Sequence, residues 1–137
     1  MNYWLVKSEP FKYSWDTFTI EKKTMWDGVR NYQARNSLKE MKKGDLVLWY
    51  HSNEGMEVVG VAKVATEHYN DPTINDPRWF VVDLAIHKKL KKTVTLVQMK
   101  QEELLLSMGL LRQPRLSVMP VTKDHFDYIC KLGQTVV

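Results

Sequence analysis

The sequence predicts an α+β domain, a small sheet or barrel dressed with short helices. Two observations carry that reading. Short apolar or aromatic runs at Tyr3–Lys7, Leu46–His51, Val58–Ala65, Trp79–Ile86 and Leu116–Val121 read as strands. Helical segments fall between them irregularly, and the apolar runs are too short for a doubly wound parallel sheet. With 137 residues, 44% of them hydrophobic and 26% charged, the chain suits one globular domain over residues 1–137 and lies far from the composition of disordered chains.

In chain order, Tyr3–Lys7 is an N-terminal strand that Pro10 stops. Ser14, followed by Asp16 and Thr17, is a helix start, because a hydroxyl caps free amides and an acid suits the positive helix end. That helix ends near Lys23. The stretch from Trp26 to Asn36 reads as a turn entering a helix. Tyr32, Ala34, Leu38 and Met41 approximate one helical stripe over Tyr32–Lys42, and Gly44 stands where a left-handed terminating residue is needed. Leu46–His51 is a buried strand. Ser52–Gly55 supplies its turn, and Val58–Ala65 is the partner, with Gly60 marking a bulge or the close approach of another backbone. His68–Pro77, with two Asp-Pro steps, is the one long loop, and such loops often line binding sites. Trp79–Ile86 returns as a strand. Beyond it a turn near Thr95 leads to a helix over Lys100–Met108 closed by Gly109, then the strand Leu116–Val121, then a helix capped by Thr122 that ends near Gly133.

The net charge of +4 suits a polyanionic partner without requiring one. The densest basic run, His87-Lys88-Lys89-Leu90-Lys91-Lys92, reads as a solvated hairpin or loop, or else as a strip contacting phosphates. Cys130 is alone, so the chain forms no internal disulfide, and between Ile129 and Leu132 it reads as a buried inert thiol. The four histidines are scattered without the close spacing of metal ligands, and no Gly-rich phosphate loop occurs, so neither metal nor cofactor is expected. No apolar stretch approaches the roughly 20 residues that span a bilayer, and no secretory signal is seen, so a cytoplasmic location is expected.

The segment Trp26-Asp-Gly-Val-Arg-Asn-Tyr-Gln-Ala-Arg-Asn36 crowds an aromatic, a glycine, two arginines and side-chain amides together. An aromatic face beside amide donors and guanidinium groups suits a base taken out of its stack, although Trp26 reads equally as a core anchor. This segment, together with Tyr3–Pro10, Gly44–Ser52 and Arg115–Val121, resembles the EVE domain family over about Met1 to Leu132. The resemblance implies a PUA-like mixed β pseudobarrel flanked by short helices, related to YTH and ASCH domains, and a non-enzymatic reader of a modified nucleobase in DNA or RNA.

It also implies roles. Trp26 matches the place of a cage wall in YTH domains, and Lys7 and Ser8 match the end of the first strand, where backbone or hydroxyl groups reach the base edge. The resemblance puts pocket-lining residues at Tyr50, His51 and Ser52. Strand alternation allows either Tyr50 with Ser52 or His51 alone to face the pocket. From the residues themselves, Asn31 offers a carbonyl and an amide to read a base edge, or else caps a helix. Trp79 is a second wall or plain core. Arg30, Arg35 and Arg115 are candidates for phosphate or ribose, Arg30 beside the pocket itself, and each reads equally as a surface ion pair. Lys88 and Lys91 complete the phosphate-contacting set. No catalytic triad emerges. An alternative is a small ASCH-like hydrolase or nucleotide-processing enzyme using Lys7 and Glu9, and a third possibility is a protein-interaction module. Which base is bound, and whether in DNA or RNA, stays open.

Overall fold

The first strand, β1 (Tyr3–Ser8), carries three successive buried residues, Trp4, Leu5 and Val6, so both of its faces are covered. Such a run belongs inside a sheet, and that is where β1 lies in the computed structural model, which describes residues 1–137. The other strands are β2 (Lys23–Trp26), β3 (Leu46–His51), β4 (Glu57–Asn70), β5 (Phe80–Thr95) and β6 (Val118–Val121). They form one six-stranded mixed sheet in the order β2-β5-β4-β3-β1-β6. Only β1 and β3 run parallel, in register from Tyr3 opposite Leu46 to Ser8 opposite His51; every other pairing is antiparallel.

Five short helices flank the sheet: α1 (Trp15–Glu21), α2 (Tyr32–Glu40), α3 (Leu96–Lys100), α4 (Gly109–Arg112) and α5 (Lys123–Leu132). Four of them begin at a side-chain cap. Ser14, Asn31, Thr95 and Thr122 each accept a hydrogen bond from a backbone N–H three residues on, at 3.0–3.1 Å. The apolar side of α5 buries Phe126, Ile129 and Cys130, and burial pushes the Cys130 thiol up to about 11.

The centre of the molecule is Trp49 on β3, fully buried. Phe18 of α1 stacks on it at 4.4 Å, and Trp15 meets it edge-on at 5.6 Å. Trp26, at the end of β2, also meets Trp49 edge-on at 4.9 Å. Since β5 and β4 lie between β2 and β3 in the sheet, that contact requires the sheet to curl so that its β2 edge turns back over β3. At Gly60 the β3–β4 and β4–β5 ladders shift register, and a Cβ there would lie 2.4 Å from the Trp15 ring. The sequence expected a bulge or a close backbone; the structure has the irregular ladder, and the close neighbour is an indole.

Several expectations are corrected. Lys23–Trp26, read as helix end and turn, is strand β2, because β5 supplies its partner from Lys23 opposite Ala85 to Trp26 opposite Val82. Gly44 has a positive φ of 94°, but it turns the chain into β3; α2 has already ended at Glu40. β4 continues through His68 to Asn70, so the long loop starts only at Asp71. The basic run 87–92 is not a free loop: it lies within β5, with Lys88 opposite Val61 and Lys89 opposite Gly60. The helix expected over Lys100–Met108 is instead α3, a 3-10 turn at Glu103–Leu105 and then α4. Leu105 is buried while its neighbours Leu104 and Leu106 are exposed, a pattern that one continuous helical stripe does not satisfy. Gly109 opens α4 rather than closing a helix, where a Cβ would come within 3.2 Å of the Met119 sulfur.

Candidate functional site

The curl of the sheet leaves a cavity of about 520 Å³ between the end of β1, the chain leaving β2, and Ser117 just ahead of β6. β1 delivers Lys7 and Ser8, and β2 delivers Trp26. Trp26 is half-buried: it packs against Trp49 and borders the cavity. Beyond it, Gly28 adopts a φ of 76°, which an L side chain rarely takes, and reverses the chain so that Val29 is buried and Arg30 returns to the rim.

The rim is fixed by one buried carboxylate. Asp71, at the start of the β4–β5 loop, accepts hydrogen bonds from the Arg30 guanidinium at 2.9 Å, from the Gly28 N–H at 3.4 Å and from the Thr73 N–H at 2.8 Å. Burial pushes its carboxyl up, but the hydrogen bonds from Thr73, Arg30 and Gly28 outweigh this and hold it below the ordinary carboxylate range.

Charges of both signs face the space. Burial lowers the pKa of the half-buried Lys7 ammonium, which donates to the Pro114 carbonyl at 2.7 Å. Glu9 is held by the Asn53 amide at 2.8 Å and by Lys12 at 3.3 Å, and Asp27 stands exposed at the rim. The Ser8 hydroxyl donates to the Tyr13 carbonyl, which leaves its oxygen free to accept. Tyr13 donates to Glu21, and burial first, then that carboxylate, pushes its phenol up to about 12. An aromatic wall beside donors, acceptors and both signs of charge is chemically able to hold a flat polar ring by face and edge.

Of the residues singled out in the sequence, Lys7, Ser8, Trp26 and Arg30 converge on this cavity, as does Glu9 of the hydrolase alternative. Tyr50 and Ser52 do not; with Lys7 they border a smaller cavity of about 140 Å³ closed by Leu110 and Pro114. His51 points elsewhere, its Nε2 accepting from the Trp15 N–H at 3.1 Å. Asn31 is the cap of α2 and, with Arg115, lines a shallow groove outside the cavity. Trp79 is 7% exposed and stacks on Tyr32, its ring close to Arg30. Arg35 lies over Tyr32. Lys88 and Lys91 are exposed on β5, with Lys88 six positions beyond Val82, the partner of Trp26, and so about 20 Å along the strand. Missed by sequence reasoning were Lys12, Tyr13, Thr24, Met25 and the role of Ser117 in the lining, and that of Asp71 behind it. The Asp27-Gly28 turn signal was available for the rim; Ser117 lies in the Arg115–Val121 motif, but its residue type gives no sign of a place at the cavity.

The model of the EVE domain family matches residues 2–132. The chain belongs to the EVE domain family. This EVE domain is 36% identical to mouse thymocyte nuclear protein 1 over 98% of its own length and 74% of that protein. It superposes on a Rhodopseudomonas palustris protein solved by NMR with a TM-score of 0.94 and 43% identity, covering 98% and 94% of the two chains. On the human THYN1 protein in complex with 5-methylcytosine containing DNA it superposes with a TM-score of 0.93 and 30% identity, covering all of both chains. A more distant likeness, to a Zygosaccharomyces rouxii YTH domain with a TM-score of 0.63 at 15% identity over 99% and 88% of the chains, is one of fold alone.

Proposed function

We propose that this EVE domain binds a modified nucleobase in DNA or RNA, receiving the base in the cavity beside Trp26 and performing no chemistry on it. The observation that carries the reading is the half-buried indole of Trp26 bordering an open space that Lys7, Ser8 and Arg30 also reach. The human THYN1 complex with 5-methylcytosine containing DNA, whose solved chain shares this fold throughout, supports it. The indole supplies a stacking face worth about 1–3 kcal/mol per base. A methyl group adds only about 0.8 kcal/mol per buried carbon, so selectivity needs a close apolar wall together with polar groups left unpaired when the wrong base enters. Trp26 and Met25 offer the wall, and Lys7, the Ser8 oxygen and Asp27 the polar edge. Arg35, Lys88, Lys91 and Arg115 are the proposed phosphate or ribose contacts.

Titration of labelled single strands bearing different modified bases tests the reading. Tighter binding to one modified strand than to its unmodified twin is expected; equal binding of all of them at low salt would sink it.

A second reading, a small hydrolase or nucleotide-processing enzyme, draws on Lys7 and Glu9 lining the same cavity, Lys7 with a lowered pKa. Each is engaged elsewhere, Lys7 by Pro114 and Glu9 by Asn53 and Lys12, which favours the binding role. Turnover of nucleoside amides by pure protein, abolished by Lys7→Ala without unfolding, would reverse that preference.

A further inference from the structure

Next to the cavity, on the α2 side, aromatic rings and cations alternate across the surface. The Tyr32 and Trp79 rings stack at 5.2 Å with 26° between their planes. The Arg30 and Arg78 guanidinium groups lie 5.7 and 5.8 Å from the Trp79 ring, Arg35 lies 4.9 Å from that of Tyr32, and the Lys39 ammonium 5.4 Å from that of Phe80. Tyr32, Arg35 and Lys39 are three and four residues apart and share one face of α2. Tyr32 is 51% exposed.

The charges along this face are unequal in availability. Arg30 is paired with buried Asp71 at 2.9 Å and Arg78 with Asp76 at 2.7 Å. Arg35 meets no carboxylate: its hydrogen bonds go to the Asn36 side-chain oxygen at 2.8 and 3.2 Å and the Arg78 carbonyl at 3.5 Å. Lys39 likewise forms no ion pair with any carboxylate. Arg30 is shared between the cavity rim and the stack, so the two are continuous.

We infer that this face of α2 is the track for the single-stranded flank of the bound nucleic acid: the base next to the one in the cavity packs on the Tyr32–Arg35 stack, and Arg35 and Lys39 meet the phosphates beyond. Flat rings and guanidinium planes accept any base by stacking, and unneutralised cations beside them hold the backbone. The β5 lysines offer charge without rings, and Lys88 stands about 20 Å from the strand position that pairs with Trp26. The inference rests on the cavity's being the base pocket, and it adds the direction in which the strand leaves.

The test uses the full chain and short labelled DNA strands with one central 5-methylcytosine or cytosine, titrated over a range of salt. Arg35→Gln with Lys39→Gln is expected to weaken binding of both strands about tenfold and to reduce the log–log salt slope by about one to two. Tyr32→Ala is expected to weaken binding about tenfold through the absent stacking face, with Tyr32→Phe, which keeps the ring, binding as wild type. Lys88→Gln with Lys91→Gln is expected to change the slope for these short strands less than the α2 pair does. Wild-type affinity and slope in the α2 variants, or a slope governed by the β5 pair, would overturn the track. If wild type failed to distinguish the two strands, 5-methylcytosine would be ruled out as the base in the cavity, while the slope comparison would still decide between the two faces.

Discussion

Trp26 is packed against Trp49 while its indole also borders the cavity, so under the proposed function its removal is expected to be felt in binding as well as in packing. Trp26→Ala is expected to cost about 1–3 kcal/mol of strand binding and to erase the preference for a modified base; Trp26→Phe, which keeps a ring against Trp49, restores part of it in the same anisotropy titration. Gly60 is the reverse case, a position defined by the side chain it does without. Its Cβ would lie 2.4 Å from the Trp15 ring, so Gly60→Ala should destabilise the fold by about 1–3 kcal/mol in urea, and Trp15→Leu in the same chain should cancel part of that destabilisation. His51 accepts the Trp15 N–H only when that ring nitrogen is unprotonated. Burial lowers its pKa, against the opposing pull of Glu57 and Asp16. The unfolded chain therefore takes up a proton where the folded one resists it. Stability is complete above the unfolded value of about 6.5 and declines as pH falls below it. His87 is lowered in the same sense by burial and by Lys63 and Lys88, so denaturation midpoints of His51→Gln and His87→Gln at neutral and mildly acidic pH are expected each to flatten part of the decline.

At the scale of elements, β5 is built in two parts. Lys89 pairs with Gly60 and Val94 with Val58, so Leu90–Thr93 leaves the ladder. The amides freed there are taken by the far end of the chain: the Lys91 N–H donates to the Thr135 hydroxyl at 2.8 Å and the Lys92 N–H to the Gly133 carbonyl at 3.1 Å. Thr135→Val keeps the shape and removes that acceptor from a buried position, and a destabilisation of about 1–3 kcal/mol is expected in thermal or urea unfolding. This pairing explains why sequence pattern did not find the strand. A lysine-rich run looks like loop because local composition carries no sign of the strand and tail that claim its backbone. Where the deciding contact is local, the sequence was readable: Ser14 and Thr122 announce their helices through caps that reach only three residues, and Leu46–His51 announces β3 by an unbroken apolar run. The 96–112 region was not readable, since Leu104, Leu105 and Leu106 are alike in sequence and only packing chooses Leu105 for the core.

For the whole molecule, the candidate site exists only once the sheet has curled, because its walls come from residues 7–9, 12–13, 24–30 and 117. Composition around Trp26 and the first-strand motif brought Lys7, Ser8, Glu9, Trp26 and Arg30 into view; Ser117 lies in a quoted motif and Asp71 in the long loop, but their places at the cavity depend on where distant chain segments arrive, which no local pattern specifies. Asp71 ties the β4–β5 loop to the rim, so Asp71→Asn is expected to weaken modified-base binding and raise amide exchange at Gly28 and Thr73 together. On strands long enough to reach β5, Lys88→Ala with Lys91→Ala should weaken binding to modified and unmodified sequences alike and lower the salt slope by about one for each phosphate no longer neutralised. The sheet order has a last consequence, for self-association. The curl does not bring β2 and β6 into pairing with each other, so the sheet keeps two open borders that another chain could in principle extend. Both are blunted. β2 is only four residues long and is led in by the exposed Lys22 and Lys23, while β6 carries exposed Pro120, which has no amide hydrogen to offer a newcomer. The curled sheet that forms the cavity thus offers a second chain two poor edges to pair with.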